Sequence, residues 1–265
     1  MNKIKISLMW MTRKRSHELI YSLLSFAFNA KDNKNIEYIL VLDPDDKETL
    51  TALEKITPMA STHGIELTCI IADKRYGYSE LEQYQNLAAK HFTGECLLSI
   101  ADDNTCIERE WDVELRKHLA ERKEDPAIVA IQPLNEAWKG NFTIVGINRA
   151  WYKKTNKFSG NRATDAYLCD LTKAANIEPI LPNINTLHLQ RGKDGFMGKI
   201  IDNGIERDVF GLPDDETSGG YSSKNPVPPK YYHIPSSATL PGMEGVDVIK
   251  GKKRFDEDLK KLTDG

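Results

Sequence analysis

The chain has 265 residues, 40% of them hydrophobic and 28% charged, which is a globular composition with enough apolar material for a core. It fits one large domain, or one domain with an appendage, and excludes a wholly disordered or collagen-like chain. Lys and Arg number 36 against 39 Asp and Glu, a formal net charge of −3, so the chain as a whole is not adapted to coat nucleic acid.

In chain order, residues 3–11 read as a strand with Ile4, Ile6 and Leu8 on one face. Ser16 is expected to cap a helix running to about Asn29, with Leu19, Ile20, Leu23 and Leu24 on its apolar side. Residues 36–42 form a continuous apolar strand ending at Asp43. Residues 47–62 are helical, with Leu50, Leu53 and Ile56 inward. A third strand over 66–71 is followed by a helix over 80–92 that Gly94 stops, and a fourth strand over 96–100 ends in Asp102-Asp103-Asn104. Strands and helices alternating at this length imply an α/β fold, a mostly parallel sheet with helices on both faces.

The second half is less regular. Strands are expected over 128–131 and 142–147, a helix over 163–175, and short strands over 177–181 and 185–189. Beyond Arg191 stand 11 of the 17 glycines and six of the 12 prolines, which predicts a loop-rich C-terminal segment over 192–265, a lid or tail, closed by a charged helix over 251–262. No apolar run approaches the roughly 20 residues that span a bilayer. The first ten residues lack the apolar stretch of a signal peptide. Cys69, Cys96, Cys106 and Cys169 form no Cys-x-x-Cys pair and are expected to be reduced and structural, as suits a cytoplasmic protein.

In a parallel sheet, ligands bind outside the carboxyl ends of the strands. Three strand ends carry polar clusters here: Thr12 to Arg15, Asp43 to Asp46, and Asp102 to Asn104. They are expected to converge on one rim. Adjacent carboxylates such as Asp102 and Asp103 repel unless a cation or donors compensate, and oxygen ligands suit Mg²⁺ or Mn²⁺. The same Asp-Asp-Asn is also ordinary turn chemistry. Arg13 and Arg15 suit phosphate contacts, and equally a solvated loop. Of Asp45 and Asp46, at least one is expected to cap the following helix, leaving Asp43 as the ligand-facing group. His188 reads as a core histidine or a ligand, and Asp165 as a helix-dipole aspartate or a general base. There is no Gly-x-Gly-x-x-Gly after the first strand, no P-loop and no Gly-x-Ser-x-Gly elbow.

The order of these features is specific. Thr-Arg-Lys-Arg follows a strand, Asp43 ends a second, a Lys74-Arg75-Tyr76-Gly77 loop and a helix carrying Asn86 follow, and then comes a strand ending in Asp-Asp with Trp111-Asp112 shortly after. This resembles the GT-A-fold glycosyltransferases, most of all the large family 2 of inverting, nucleotide-sugar-dependent enzymes, over Lys3 to Arg116 and at His188. The resemblance implies a nucleotide-binding and catalytic domain over 1–191. Thr12, Arg13 and Arg15 border the nucleotide, Asp43 contacts the base, commonly uracil, and Arg75 and Asn86 lie near the nucleoside. Asp102 and Asp103 take the place of the family's metal motif, with Ile100 where its first aspartate usually stands, and Asp102 also borders the donor. His188 completes the shell of a Mn²⁺ or Mg²⁺ ion. Asp165 falls where the catalytic base is expected, with Asp170 as the alternative on the same helix. The partners implied are a nucleotide-sugar donor, with UDP the usual nucleotide, and an acceptor: a saccharide, a lipid-linked glycan, a protein or a modified nucleobase in DNA. Two other readings stay open, a non-catalytic nucleotide- or glycan-binding domain and a metal-dependent phosphohydrolase using Asp43 and Asp45.

Overall fold

The computed structural model describes residues 4–77, 80–135, 142–189, 200–202, 205–207 and 246–264. The N-terminal half alternates as its apolar periodicity predicts: β1 (Ile6–Thr12), α1 (Ser16–Asn29), β2 (Ile36–Leu42), α2 (Lys47–Thr62), β3 (Glu66–Ile71), α3 (Leu81–Ala89) and β4 (Cys96–Ile100). The chain continues through β5 (Asn104–Cys106), α4 (Trp111–Glu121), β6 (Ile128–Ile131), β7 (Ile144–Asn148), α5 (Arg149–Thr155), α6 (Thr164–Ala174), β8 (Thr186–His188), β9 (Ile200–Asp202), β10 (Ile205–Arg207) and α7 (Val246–Thr263).

Six strands form one sheet in the order β3-β2-β1-β4-β7-β6. The first four are parallel, and β7 and β6 add antiparallel. Strand β2 is buried along its whole length, so its run of Tyr38, Ile39, Leu40, Val41 and Leu42 faces a core on each side. Successive side chains alternate between the two cores. Leu8, Trp10, Tyr38, Leu40 and Leu98 meet Leu19, Leu23 and Phe26 of α1, Leu53 of α2, and Trp111 and Leu115 of α4. Met9, Ile39, Val41, Leu97 and Val145 meet Tyr84 and Ala88 of α3, Trp151 of α5, Leu168 and Leu171 of α6, and Leu262 of α7. Each such side chain, fully buried, contributes about 1.5–3 kcal/mol against exposure.

Several boundaries differ from the sequence reading, for local reasons. Ser16 is the first helical residue of α1 and not its cap: Arg15 takes the cap position, and the Ser16 hydroxyl donates to Glu48 Oε1 at 3.3 Å. Helix α3 ends at Ala89, ahead of Gly94, whose place is set by packing: a Cβ there would stand 2.8 Å from the Ser7 backbone nitrogen. The strand expected over 177–181 reduces to a bridge between Ile180 and Val129. Strand β5 and helices α4 and α5 were not in the sequence reading. The 192–245 segment lies outside the described residues apart from the β9–β10 hairpin. The closing helix α7 is longer than expected and packs on α5 and α6. Its buried Asp258 pairs with Lys157 at 2.9 Å and accepts the Tyr167 hydroxyl at 2.6 Å. The four cysteines are free, with Cys69 exposed on the edge strand β3. Among the described residues no helix is long and apolar enough to cross a membrane.

Candidate functional site

The three polar strand ends meet at the carboxyl edge of the parallel strands. Thr12, at the end of β1, donates to Asp102 Oδ2 at 2.6 Å. Arg15 reaches Asp102 Oδ1 at 2.5 Å, Asp103 Oδ2 at 3.5 Å and Glu18 Oε1 at 3.4 Å. Arg13 binds Asp43 Oδ2 at 3.0 Å and grips Asp45 with both terminal nitrogens, at 2.6 and 2.8 Å. Between the two arginines, Lys14 adopts a left-handed backbone conformation, φ 53°, which costs a non-glycine residue energy. Its N–H is fixed by Asp46 Oδ2 at 2.9 Å. The same Asp46 caps α2 through the Thr49 N–H, as the acidic run predicts.

Asp43 also accepts a short hydrogen bond from the Tyr84 hydroxyl. That hydroxyl in turn accepts the N–H groups of Tyr76 and Gly77, at 2.9 and 3.0 Å. Gly77 has φ +69°, so a glycine makes this turn at little cost. Burial, together with the bond to Asp43, pushes Tyr84 up to about 12, which keeps it a donor. Both oxygens of Asp43 are thus committed. Asp45 is exposed, and the Arg13 guanidinium holds it down at about 2. Arg75 is exposed in the next loop, within electrostatic reach of Asp45.

The Asp102-Asp103 pair sits at a turn closed by the Asn104 N–H on the Ala101 carbonyl. Strand β5 then pairs with β8 and places Asn104 opposite His188. His188 Nε2 stands 3.1 Å from Asp103 Oδ1. The two carboxylates differ in environment. Burial pushes Asp102 up, with the neighbouring Asp103 adding to it against Arg15 and Thr12. Burial acts the same way on Asp103, but His188 and Arg15 outweigh it and hold it below the usual carboxylate range. Burial opposes the charge of Arg15, and Asp102, Asp103 and Glu18 more than restore it. Among the described residues no three His, Cys, Asp or Glu side chains are grouped to hold a metal ion. Asp103 and His188, each 16% exposed at the side chain, pair with each other, and the second oxygen of Asp103 faces Arg15 at 3.5 Å. Thr12 and Arg15 likewise take both oxygens of Asp102.

The remaining residues of the sequence reading are Asp165, Asp170 and Asn86. Asp165 is half-buried in the first turn of α6, where the helix dipole favours its charge. That turn is fixed at the end of β4: the Thr164 hydroxyl donates to Gln85 Oε1 at 2.5 Å, and Gln85 Nε2 donates to Ser99 Oγ at 3.2 Å. Asp170 is half-buried on the same helix. Asn86 is taken up by the fold. Its amide accepts the Phe158 N–H at 2.7 Å and donates to the Ser159 carbonyl at 2.8 Å, latching the loop that leads to α6. Sequence reasoning missed Tyr84, Glu18 and Asn135. The Asn135 amide brackets the His188 backbone, accepting its N–H at 2.9 Å and donating to its carbonyl at 2.6 Å. Of these, only Tyr84 carried a signal, one helical turn from Leu81 on the inward face of α3.

No protein-family profile matches the chain, and no curated protein sequence does. Solved structures match it by shape. The mannosyltransferase PcManGT from Pyrobaculum calidifontis, in complex with GDP-Man and Mn²⁺, superposes with a TM-score of 0.56 at 16% identity, over 74% of this chain and 59% of that one. S. aureus TarS 1-349 in complex with UDP-GlcNAc superposes with a TM-score of 0.53 at 16% identity, over 72% of this chain and 60% of that one. The chain therefore spans about three fifths of the length of these structures. The chain has the GT-A fold.

Proposed function

We propose that the chain transfers a sugar from a nucleoside diphosphate sugar, UDP-linked, to an acceptor hydroxyl with inversion at the anomeric carbon. The observation that carries this reading is the convergence of Arg13, Arg15, Asp43, Asp102, Asp103 and His188 at one rim of a GT-A sheet. That the similar structures hold UDP-GlcNAc and GDP-Man supports it.

The chemistry follows from the residues. Asp43, oriented by Tyr84, offers carboxylate oxygens to the N–H groups of a base edge once Arg13 turns to the phosphates. Arg13 and Arg15 face the diphosphate, where guanidinium forks match phosphate oxygens. Asp103 and His188 are the residues that would hold Mn²⁺ or Mg²⁺ once they part from each other and from Arg15, and a bound ion would supply positive charge to the departing diphosphate, worth on the order of 10²–10³ in rate. Asp165 accepts the acceptor's hydroxyl proton as that oxygen bonds to the anomeric carbon. The bond from that carbon to the phosphate oxygen breaks, and its electron pair leaves with the diphosphate. The base contributes about 10²–10⁴. The acceptor is a saccharide, a lipid-linked glycan, a protein or a modified nucleobase in DNA, and the site is proposed to work in the cytoplasm.

The test is turnover of a panel of UDP-, GDP- and other nucleotide sugars with candidate acceptors, followed by release of the nucleoside diphosphate. Product of inverted configuration, lost in Asp165→Asn while donor binding persists, is expected. Tight nucleotide binding without transfer to any acceptor class overturns the reading in favour of a binding domain. Hydrolysis of an aryl phosphate overturns it in favour of a phosphohydrolase.

A further inference from the structure

The two edges of the six-stranded sheet are finished differently. At β6 the chain covers its own edge: Ile180 bridges to Val129, donating its N–H to the Ile128 carbonyl at 2.8 Å and accepting the Ala130 N–H at 2.9 Å. At β3 no described residue does this. Strand β3 pairs with β2 on its inner side, and the Ala72 N–H continues that ladder onto the Leu42 carbonyl at 2.9 Å. Backbone groups alternate in direction along a strand, so Glu66, Thr68 and Ile70 bond inward, and Leu67, Cys69 and Ile71 turn their N–H and carbonyl groups outward. The side chains of these same three residues stand on the α2 face of the sheet. Leu67 packs on the core there, Cys69 lines a groove of about 380 Å³ with Leu50, Leu53, Thr57 and Pro58, and Ile71 is 46% exposed. Edges that must stay single carry lysine, proline or a bulge. Strand β3 has none of these: it reads Glu-Leu-Thr-Cys-Ile-Ile in unbroken register with β2.

This edge complements itself. When a second β3 is set antiparallel about a two-fold axis at Cys69, Cys69 meets the partner's Cys69 and Leu67 meets the partner's Ile71. All three outward residues then exchange both hydrogen bonds. A shift of two residues either way leaves one of the three without a partner in the strand. On the other face Thr68 meets the partner's Ile70 and Glu66 meets the partner's Ala72, so no like charges stand opposite. Because Cys69 both lines the groove and lies on the axis, the two apolar grooves meet there. We propose that β3 is the surface on which a second copy of this chain docks, edge to edge and antiparallel, joining two six-stranded sheets into one. The interface is isologous, and the proposal holds whether or not the chain transfers sugar.

The test is sedimentation equilibrium of the full chain across the micromolar range. The wild type is expected at twice the 30.0 kDa chain mass. Cys69 is exposed and the other three cysteines are buried, so a short bismaleimide, which alkylates one thiol at each end, joins two copies there. The hydrogen-bonded pair sets the two Cα atoms about 5.5 Å apart, within its span. Cross-linked dimer is expected from the wild type and not from Cys69→Ser, which keeps the dimer mass. Ile71→Lys puts an ammonium group on each side of the seam. Cys69→Pro removes an outward N–H and none of the bonds to β2, a change that edge strands tolerate. Both variants are expected to be folded by circular dichroism and to weaken association roughly a hundredfold, since each change enters twice. The Leu67, Cys69 and Ile71 amides should resist hydrogen exchange in the wild type and exchange fast in Ile71→Lys, while those of Thr68 and Ile70 stay protected. A wild type that is monomeric throughout the range overturns the proposal; slow exchange of the three outward amides in that monomer assigns the edge to the chain's own residues. A dimer whose mass survives both Ile71→Lys and Cys69→Pro also overturns it, in favour of an interface elsewhere.

Discussion

Asp46 links the stability of α2 to the shape of the site, and its two carboxylate oxygens do separate work. Oδ1 accepts the Thr49 N–H at 3.2 Å and caps the helix. Oδ2 accepts the Lys14 N–H at 2.9 Å and the Thr49 hydroxyl at 2.7 Å. The side chain is buried, so water does not replace these bonds cheaply. Asp46→Ala removes a cap worth about 1 kcal/mol and strands the Lys14 N–H at a further cost of about 1–3 kcal/mol. The sum, about 2–4 kcal/mol, lowers the melting temperature by roughly 4–16 °C for a chain of this size. Asp46→Asn keeps one acceptor oxygen, retains the cap and loses the hold on Lys14, because its NH₂ group cannot accept. It should cost about half as much. Both variants free the Arg13–Arg15 loop and should weaken nucleotide binding alike, while differing in stability. Urea unfolding at constant slope gives the first quantity, and calorimetric titration with UDP the second. An Asp46→Ala protein within about 0.5 kcal/mol of the wild type, or an asparagine variant as unstable as the alanine one, refutes this division of labour.

Four further outcomes are expected. Asp165→Asn abolishes transfer and leaves donor affinity unchanged in an equilibrium titration; if it retains wild-type turnover, the base is Asp170. Asp103→Ala loses both transfer and the metal-dependent part of nucleotide binding, followed by thermal shift with and without Mn²⁺. Gly146→Ala destabilises by about 1–3 kcal/mol in urea, because a Cβ there stands 2.5 Å from the Leu97 carbonyl oxygen of the paired strand and backbone cannot yield cheaply. Asp258→Ala costs about 3–5 kcal/mol, since it leaves the Lys157 ammonium without its partner at 2.9 Å and the Tyr167 hydroxyl without its acceptor; protection of α7 amides in hydrogen exchange should fall more than that of β1.

The parallel half of the fold was legible because its signals are local. Strands buried on both faces read as unbroken apolar runs, as in 38–42, and the helices between them carry one apolar stripe. The placement of Asp43 and Asp102 followed from topology alone, since parallel strands end on one side. What could not be read depends on partners distant in sequence. Strand β5 is three residues long and exists because Ser22 and Asn29 of α1 bind its Asn104 and Cys106 carbonyls and β8 pairs with it. Asn86 looks from its helix like a polar group available to a ligand, yet a loop 72 residues away consumes its amide. Arg15 was legible as a phosphate contact, but its present pairing with Asp102 was not, because nothing local joins residues 15 and 102. Ser16 had the chemistry of a cap, yet Arg15, next to the left-handed Lys14, takes that position.

The rim formed by Asp43, Arg13, Arg15, Asp103 and His188 should receive a nucleoside diphosphate. Thermal unfolding of the wild type with each of UDP, GDP, ADP and CDP, with and without Mn²⁺, measures this. A ligand at about 100 times its dissociation constant adds about 2.7 kcal/mol to the folded state, a shift of several degrees. The predicted result is stabilisation by one base, UDP foremost, that grows with Mn²⁺ and disappears in Asp103→Ala. Absence of any shift with all four nucleotides, metal present, contradicts it.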